Sequence, residues 1–326
     1  MFIPMTQVRL NLSLLGLLLA AFAASLLAGK VWVPVSEWMT HDLPSLIILE
    51  LRLPRTVLAA AIGAALGMSG AVMQGYLRNP LADPGLFGVS GSAALGAVSS
   101  LYFGYAASAL LLPLFALGGA AAGMALLALL AGRSGSLILF TLAGMILASI
   151  SGSLTSLLIS LAPTPFAASE IVTWLLGALT DRSWADVQLT LPAMIAGMLI
   201  LAATAPALDA LTLGEAAARS LGVDTGRLQW LVVLGIGLTV GASVAAAGII
   251  GFVGLIVPHL VRPLAGHRPS AVLLPSALAG AVLLTLADSL VRVMPSTSEL
   301  RLGIAMSLLG APFFLALLFR MRRELA

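Results

Sequence analysis

The chain alternates between long apolar runs and short breaks that are rich in proline, glycine or charge. A helix needs about 20 predominantly apolar residues to cross a bilayer, and most of the runs approach that length. The pattern therefore predicts an all-α polytopic membrane protein with about ten transmembrane helices. The predicted spans are 10–28, 56–76, 88–104, 109–131, 137–160, 188–206, 228–249, 251–265, 271–291 and 302–319.

The N-terminal run has two interpretations. A charged start followed by an apolar stretch is also the pattern of a cleaved signal peptide. The run "LNLSLLGLLLAAFAASLLAG" is long enough to span a bilayer, so we interpret it as the first transmembrane helix.

Composition agrees with a multi-spanning membrane protein and excludes other classes. Of the 326 residues, 60% are hydrophobic and only 9% are charged, and the mean hydropathy is +1.10. A soluble domain usually carries about 25% charged residues. The absence of cysteine excludes disulfides and thiolate sites within this sequence. The net charge of +3 comes mostly from arginine, and we attribute it to membrane topology rather than to nucleic-acid binding.

The basic residues favour a cytoplasmic N-terminus. With ten spans both termini lie in the cytoplasm, and ten of the sixteen Lys and Arg residues then fall on the inner side. Cytoplasmic loops typically carry such an excess. We expect a single transmembrane domain over residues 1–326.

A weak internal repeat is visible in two small-residue stretches. "GAALGMSGAVMQ" from Gly63 is similar to "GASVAAAGIIGF" from Gly241, and the predicted topology runs them in opposite directions. Inverted repeats are common in transporters. Small residues are also enriched at helix contacts, so a chance match is an equal alternative.

A short polar stretch, "LTLGEAAARSLGV" at 211–223, interrupts the apolar pattern. Thr212 precedes Glu215 by three residues, which is the spacing of a capping box. Glu215 and Arg219 lie one helical turn apart in the favourable order, and Gly222 suits the position after a helix end. The residues alone predict a short surface helix, for which an ordinary amphipathic interfacial helix is one interpretation.

Four stretches together resemble one family. They are "RLPRT" (52–56), "GAVMQGYLRNPLADPGLFGVSGSAALGA" (70–97), the polar stretch 211–223 and "AAAGIIGFVGLIVPHLVR" (245–262). In this order they are similar to permease subunits of the ABC importers for iron–siderophores, haem and cobalamin, which are FecCD-type, type II importers. The resemblance implies a ten-helix permease fold in a bacterial inner membrane. It also implies a homodimer, two cytoplasmic ATPase subunits and a periplasmic substrate-binding protein.

Catalysis by this chain itself is not predicted. A P-loop requires Gly-Lys followed by Ser or Thr, whereas the only lysine is Lys30 in "AGKV". We therefore expect no cofactor on this chain, with ATP and magnesium bound by the partner ATPase. No set of His, Asp, Glu or Ser residues converges as in an enzyme. His41, His259 and His267 lack the spacing of a metal site, so we expect no bound metal.

The resemblance makes the polar stretch the coupling helix, which docks on the ATPase. This assignment agrees with its place in the predicted cytoplasmic loop, at 207–227. The residues assigned to the contact are Leu213, Gly214, Glu215, Ala216, Ala217, Ala218, Arg219, Ser220, Leu221 and Gly222.

The resemblance also assigns Arg52, Arg55 and Arg292 to docking of the substrate-binding protein. Matching arginines in the family meet acidic residues of that protein, and such charge pairs steer association and set register. Anchoring of the arginines at the membrane interface by snorkelling is the alternative.

Four serines in the span 137–160 are spaced by four, three and four residues, which places them on one helical face. They are Ser149, Ser153, Ser156 and Ser160. Close packing through small residues is one interpretation, and a weakly polar pore wall is the other. The resemblance favours the wall of a central path between two subunits.

Two turns form the cytoplasmic gate that the resemblance implies. Its residues are Asn79 and Leu81 in "RNPLADPG", and Ser136 and Leu137 before the fifth predicted span. Leucines facing each other across a two-fold axis would close the path by excluding water. An ordinary tight connection between helices is the alternative for the first turn.

The segment 173–187 is most similar to haem permeases, so we expect haem as substrate, with cobalamin or an iron–siderophore as alternatives. Arg182 is the candidate for meeting a substrate carboxylate near the entrance, because arginine binds carboxylates through two hydrogen bonds. A salt bridge from Arg182 to Asp181 or Asp186 is an equal alternative.

An ion-coupled secondary transporter is the alternative class, because it would also show an inverted repeat. Such a transporter needs ionisable residues inside the membrane. Asp288 is the only acidic residue within a predicted span, and it lies close to the end of that span. This scarcity favours the ABC importer.

Overall fold

The structure is a computed structural model that describes residues 6–38, 42–105, 108, 110–132, 136–295 and 299–325, and these residues fold into helices without strands. The first half contains α1 (Gln7–Leu27), α2 (Leu43–Leu46), α3 (Leu53–Tyr76), α4 (Val89–Tyr102), α5 (Leu111–Ala131) and α6 (Leu137–Ser160). The second half contains α7 (Pro165–Leu175), α8 (Trp184–Ala203), α9 (Ala205–Leu211), α10 (Glu215–Ser220), α11 (Thr225–Ala247), α12 (Val253–Ala265), α13 (Pro269–Val293) and α14 (Leu302–Leu325).

Each of the ten predicted spans coincides with one of these helices. Among the described residues, seven helical segments are long and apolar enough to cross a membrane. They are α1, α2 to α3 as one run, α5, α6, α8, α11 and α13. The predicted spans at 88–104, 251–265 and 302–319 correspond to α4, α12 and the apolar part of α14, which are shorter. Helices of that length need protein neighbours within a bilayer.

The π-helical segment Ile47–Arg52 joins α2 to α3, so the helical run begins ten residues or more before the predicted span. A second difference is α7, which lies in a region that the hydrophobic pattern leaves as a loop. Thr164 caps α7 by accepting a hydrogen bond from the backbone N–H of Ala167 at 3.1 Å, and Pro165 follows at the first helical position. Both are favourable at a helix start.

A crossing of glycines holds α3 against α12 and α13. A Cβ at Gly63 would overlap the carbonyl oxygen of Gly280, and a Cβ at Gly280 would overlap that of Gly63. A Cβ at Gly70 would overlap the backbone of Gly254 in α12. Such small residues let helix backbones approach closely. The glycines therefore make α3 the centre of the bundle, where most of its side chains are buried.

The helix α11 packs beside α3 and is also mostly buried. The hydroxyl groups of Ser69 in α3 and Thr239 in α11 are 2.7 Å apart, which satisfies both inside the apolar core. The helix ends before Gly248, and Phe252 then adopts a φ of +68° at the start of α12. A positive φ is strained for an aromatic residue. The side chain of Phe252 lies against Gly310 of α14, so this strained turn is in direct contact with the last helix.

The helices α6 and α14 pack on one side only. The buried residues of α6 are Phe140, Ala143, Gly144, Leu147 and Ser151. The opposite side of α6 exposes leucines, isoleucines and serines in this single chain.

The all-α fold class with ten long helices is as predicted. The predicted orientation of the termini and the inverted repeat stay predictions.

Candidate functional site

The polar stretch forms a six-residue helix, α10, that is bounded by two glycines. Gly214 precedes it with a φ of +100°, and Gly222 follows it with a φ of +86°. The prediction that Gly222 follows the helix end is confirmed. Its positive φ is a backbone conformation that L-residues rarely adopt. The predicted capping box is wrong, since the hydroxyl of Thr212 donates to the carbonyl oxygen of Asp209. The residue at the N-cap is Gly214, which leaves no side chain to cap the helix.

Glu215 and Arg219 form the predicted pair, with 3.7 Å between Oε2 of Glu215 and Nη2 of Arg219. The pair is partly exposed, and exposed pairs of this kind contribute little to stability. Ala218 is fully buried, whereas Leu213 and Leu221 on either side are 68% and 65% exposed. The helix therefore rests on the protein through one alanine and presents two leucines outward.

The helix α10 is joined to the transmembrane core through α9. The carboxylate of Asp209 in α9 accepts hydrogen bonds from the backbone N–H and the hydroxyl of Ser270, at 2.9 and 2.6 Å. Ser270 lies in the first turn of α13, where a carboxylate also interacts favourably with the helix dipole. These two hydrogen bonds therefore connect α9 to the start of α13.

The three predicted docking arginines lie in a buried network. Asp288 of α13 accepts bonds from Nε and Nη2 of Arg55, at 3.0 and 2.8 Å, and from Nη2 of Arg292. Nη1 of Arg55 lies 2.9 Å from Oε2 of Glu299. Arg52 donates to backbone carbonyls, including that of Leu26 at 2.8 Å.

The network bonds Arg52, Arg55 and Arg292 within the chain, and their role in docking stays a prediction. All three are buried, at 5 to 8% exposure, and their guanidinium groups already have partners within the chain. Buried charges require counter-charges, and the fold supplies Asp288 to Arg55 and Arg292.

The two gate segments lie close together. The ring of Tyr76 at the end of α3 contacts that of Phe140 in the first turn of α6, with ring centroids 5.4 Å apart. In the turn that follows α3, the side-chain oxygen of Asn79 accepts a hydrogen bond from the backbone N–H of Leu81 at 2.9 Å. Ser136 is the N-cap of α6, and Leu137 packs against the core. The gate role itself stays a prediction.

Asp83 fixes the chain between these segments. Its carboxylate accepts from the backbone N–H of Gly85 at 2.7 Å, which caps the short 3₁₀ helix Pro84–Phe87. Burial raises the pKa of the Asp83 carboxyl, and the hydrogen bond from Gly85 opposes that rise. The ring of Phe87 then stacks on Phe140, at 5.1 Å between centroids, and ties the turn to α6.

The four predicted path serines, Ser149, Ser153, Ser156 and Ser160, are all exposed on α6. Ser151, on the opposite face, is buried and lies 3.0 Å from the hydroxyl of Ser92. The predicted division of the helix into a packed face and an open face is therefore observed. Whether the open face lines a path stays a prediction.

Arg182 forms a salt bridge with Asp186, which is one of the two roles that the sequence left open for it. Its Nη1 lies 3.4 Å from Oδ1 of Asp186, which also completes a capping box with Ser183 at the start of α8. Arg182 also lines a cavity of about 360 Å³ together with Trp174 and Arg301. The salt bridge orients Arg182 at this cavity and leaves its Nε without a partner among the described residues.

The part of the chain that the structure describes contains no group of three or more His, Asp or Glu residues arranged to hold a metal. The ring of His259 contacts Phe313 of α14, with centroids 5.9 Å apart. His41 lies outside the described residues.

Comparison with known families decides between the transporter classes. The model of the FecCD transport family matches residues 17–320. The chain belongs to the FecCD transport family. As a family member it is a membrane subunit of a transport system rather than an enzyme.

Relatives of this FecCD-family chain are permeases. It is 36% identical over 303 residues to the Fe(3+) dicitrate transport system permease protein FecD of Escherichia coli (strain K12), covering 91% of this chain and 94% of FecD. It is 38% identical over 319 residues to the vitamin B12 import system permease protein BtuC of Salmonella typhi, covering 97% of each. A solved structure described as an inward-facing metal-chelate type ABC transporter superposes with a TM-score of 0.88 and 33% identity. It covers 96% of this chain and 99% of that chain.

Two acidic residues of the FecCD-family chain were not predicted as site residues. Asp288 precedes Arg292 by four residues on α13, and this spacing is a signal for a pair. Glu299 gives no comparable signal, because its partners Arg55 and Thr180 are distant in the sequence.

Proposed function

We propose that this chain is the permease subunit of an ATP-driven importer that moves a large metal chelate from the periplasm to the cytoplasm. Two copies form the path, two cytoplasmic ATPase subunits supply the energy, and a periplasmic binding protein delivers the substrate. The relatives FecD and BtuC and the metal-chelate type ABC transporter support this proposal.

The observation that carries the coupling proposal is the construction of α10. The helix is short, is bounded by Gly214 and Gly222, and exposes Leu213 and Leu221. Exposed leucines at the two ends of a small helix suit insertion into an apolar cleft of a partner protein. The bonds from Ser270 to Asp209 then give the ATPase a connection to α13.

The open face of α6 supports a homodimer. It combines exposed leucines with the four serines, whereas its other face is packed. A second copy would cover the leucines and leave a weakly polar wall along the two-fold axis. Such a wall passes a large ligand without holding it, and conduction requires release as well as binding.

The buried network argues against ion coupling. A secondary transporter needs an acidic residue that exchanges its ion during the cycle. Asp288 is fully buried and is bound by both Arg55 and Arg292. Two guanidinium groups already occupy its oxygens, so Asp288 lacks a free oxygen pair for binding and releasing a coupling ion.

Cysteine crosslinking tests the coupling proposal, because the native chain has no cysteine. Ala216 is exposed on α10, and Ala218 is buried two residues away. In the assembled complex, Ala216→Cys should crosslink to the ATPase, and Ala218→Cys should not. Labelling of Ala216→Cys only from the periplasmic side would contradict the proposal.

A panel of substrates tests the chelate. Haem is favoured by the likeness of the segment 173–187 to haem permeases, whereas FecD and BtuC are named for iron dicitrate and vitamin B12. Proteoliposomes with the complete complex should take up one of these chelates when ATP is supplied. Uptake driven by a proton or sodium gradient without ATP would favour the secondary transporter.

A further inference from the structure

A cavity of about 560 Å³ lies between the end of α8 and the beginning of α11. We call it the interface cavity. Its apolar lining includes Ala203 at the end of α8, Ala207 in α9, and Leu228 and Leu231 in α11. Leu221, which follows α10, also lines the cavity. The cavity therefore separates the polar stretch from two of the long apolar helices.

The interface cavity lies at one surface of the membrane. The helices α8 and α11 are both long and apolar enough to cross a bilayer, and the cavity is placed where one ends and the other begins. Trp230 of α11 is 40% exposed beside it, and tryptophan is enriched at the membrane–water interface. One or two turns further into the membrane, Leu199 of α8 and Leu234 of α11 are 67% and 42% exposed. Acyl chains can therefore reach the groove between these helices.

Two opposite charges line the polar end of the interface cavity without neutralising each other. Asp224 and Arg227 are both exposed lining residues at the start of α11. Oδ1 of Asp224 accepts from the backbone N–H of Arg227 at 2.9 Å and caps the helix. Among the described residues, Oδ2 of Asp224 and the guanidinium group of Arg227 have no hydrogen bond or ion pair. One cation and one carboxylate oxygen are thus available to the same ligand.

The chemistry of the lining selects among membrane phospholipids. A guanidinium group binds phosphate through paired hydrogen bonds, and a carboxylate accepts from a primary ammonium group. Phosphatidylethanolamine carries both a phosphate and a primary ammonium. Phosphatidylcholine has a quaternary ammonium without an N–H donor. Phosphatidylglycerol has no cation, so its negative charge meets the like charge of Asp224. Only the first of these headgroups matches both side chains.

We propose that the interface cavity binds phosphatidylethanolamine, with its phosphate on Arg227, its ammonium group on Asp224 and an acyl chain along α8 and α11. Pockets with basic residues between transmembrane helices bind lipid headgroups in the same manner. The bound lipid also contacts Leu221 and fills the space behind α10. The proposal is independent of the transported substrate and of the ATPase.

Lipid retention measures this site directly. The full-length chain is released for native mass spectrometry from nanodiscs that contain equal amounts of phosphatidylethanolamine, phosphatidylcholine and phosphatidylglycerol with identical acyl chains. We expect phosphatidylethanolamine to be retained about fivefold over phosphatidylcholine, which is the ratio that one exposed charge pair can supply.

Two substitutions should change the selectivity in different ways. Asp224→Asn keeps an oxygen that can cap α11 but removes the charge. It should lower the retention of phosphatidylethanolamine and raise that of phosphatidylglycerol, and a general loss of stability cannot produce such opposite changes. Arg227→Gln should lower the retention of all three lipids, because each carries a phosphate. Arg268→Gln is the control, since it removes an exposed arginine that does not line the cavity, and it should change nothing.

A substitution in the apolar lining locates the lipid. Ala203→Phe fills the cavity with a ring and should abolish the preference among headgroups. A preference that persists in this variant would place the lipid elsewhere and overturn the proposal.

Equal retention of phosphatidylethanolamine and phosphatidylcholine by the native chain would also overturn the proposal. So would parallel changes of phosphatidylethanolamine and phosphatidylglycerol in Asp224→Asn, in a variant that melts at the native temperature. The measurement is repeated on the complex with the ATPase, where the preference should persist. Its loss there would show that the partner protein, and not a lipid, occupies the cavity.

Discussion

The helices α3 and α6 are matched in length and hydropathy but not in environment. Each has 24 residues, and the mean hydropathy is 1.8 for the most apolar window of the run containing α3 and 2.0 for that of α6. In those windows, 78% of the residues are buried for α3 and 28% for α6. Hydropathy therefore predicts that both segments span the membrane, but it does not predict which one forms the core.

Glycine position explains the difference. Gly63, Gly67 and Gly70 of α3 each lie against the backbone of another helix. Gly152 of α6 has no atom of another residue near its Cβ position. A row of contacting glycines thus commits α3 to the core, whereas α6 keeps one side open for a partner.

Removal of Asp288 should have the largest effect on stability. Asp288→Ala leaves Arg55 and Arg292 buried without their shared counter-charge, which typically costs about 3–5 kcal/mol. We expect a strong loss of folded protein after detergent extraction, measured by size-exclusion chromatography and thermal melting. Asp42→Ala is the control, because Asp42 is exposed and its side chain caps no helix. A melting temperature equal to that of the control would refute the structural role of the network.

The glycine crossing predicts the next effect. Gly63→Ala places a methyl group on the carbonyl oxygen of Gly280, and overpacking of this kind costs about 1–3 kcal/mol or more. Gly152→Ala is the matched substitution in α6, where the methyl group meets open space. It should be neutral or slightly stabilising, because alanine favours a helix over glycine by roughly 0.5–1 kcal/mol. Equal melting temperatures for the two variants would remove the proposed distinction between the helices.

The two faces of α6 should separate stability from transport. Ser153→Leu adds an apolar side chain on the open face, so the free energy of unfolding should change by no more than about 0.5 kcal/mol. ATP-driven uptake should nevertheless fall severalfold if this face lines the path. Ser151→Leu on the packed face should instead lower the melting temperature, because Ser151 contacts Ser92 in the core. Normal uptake by Ser153→Leu would place the path elsewhere.

The sequence predicts much of this fold and less of the site. Hydropathy located all ten predicted helices, because burial in lipid or protein demands the same apolar runs. It missed α7, which is short and carries Glu170, although Thr164 and Pro165 are a recognisable helix start. The spacing of Asp288 and Arg292 predicts their pair. The bond from Arg55 to Glu299 depends on tertiary packing, so no local pattern could indicate it.

The N-terminal ends of α3 and α6 also differ, and this difference predicts the smallest effect on stability. The first N–H group of α3 donates into the preceding π-helical turn, from Leu53 to the carbonyl oxygen of Ile48, so α3 needs no side-chain cap. The helix α6 uses Ser136, whose hydroxyl accepts from the backbone N–H of Leu139 at 3.4 Å. This distance is long for a hydrogen bond, so the cap should lie at the weak end of the usual range.

Ser136→Ala should therefore destabilise the protein by only about 0.5 kcal/mol, which corresponds to roughly 1–2 °C in melting temperature. Ser136→Asp restores an acceptor at the N-cap and should recover the loss, since a carboxylate also interacts favourably with the helix N-terminus. If Ser136→Ala reduces uptake far more than this small loss of stability implies, and Ser136→Asp does not restore it, the hydroxyl acts in the gate and not merely as a cap. Parallel changes in uptake and melting temperature would confine Ser136 to starting α6.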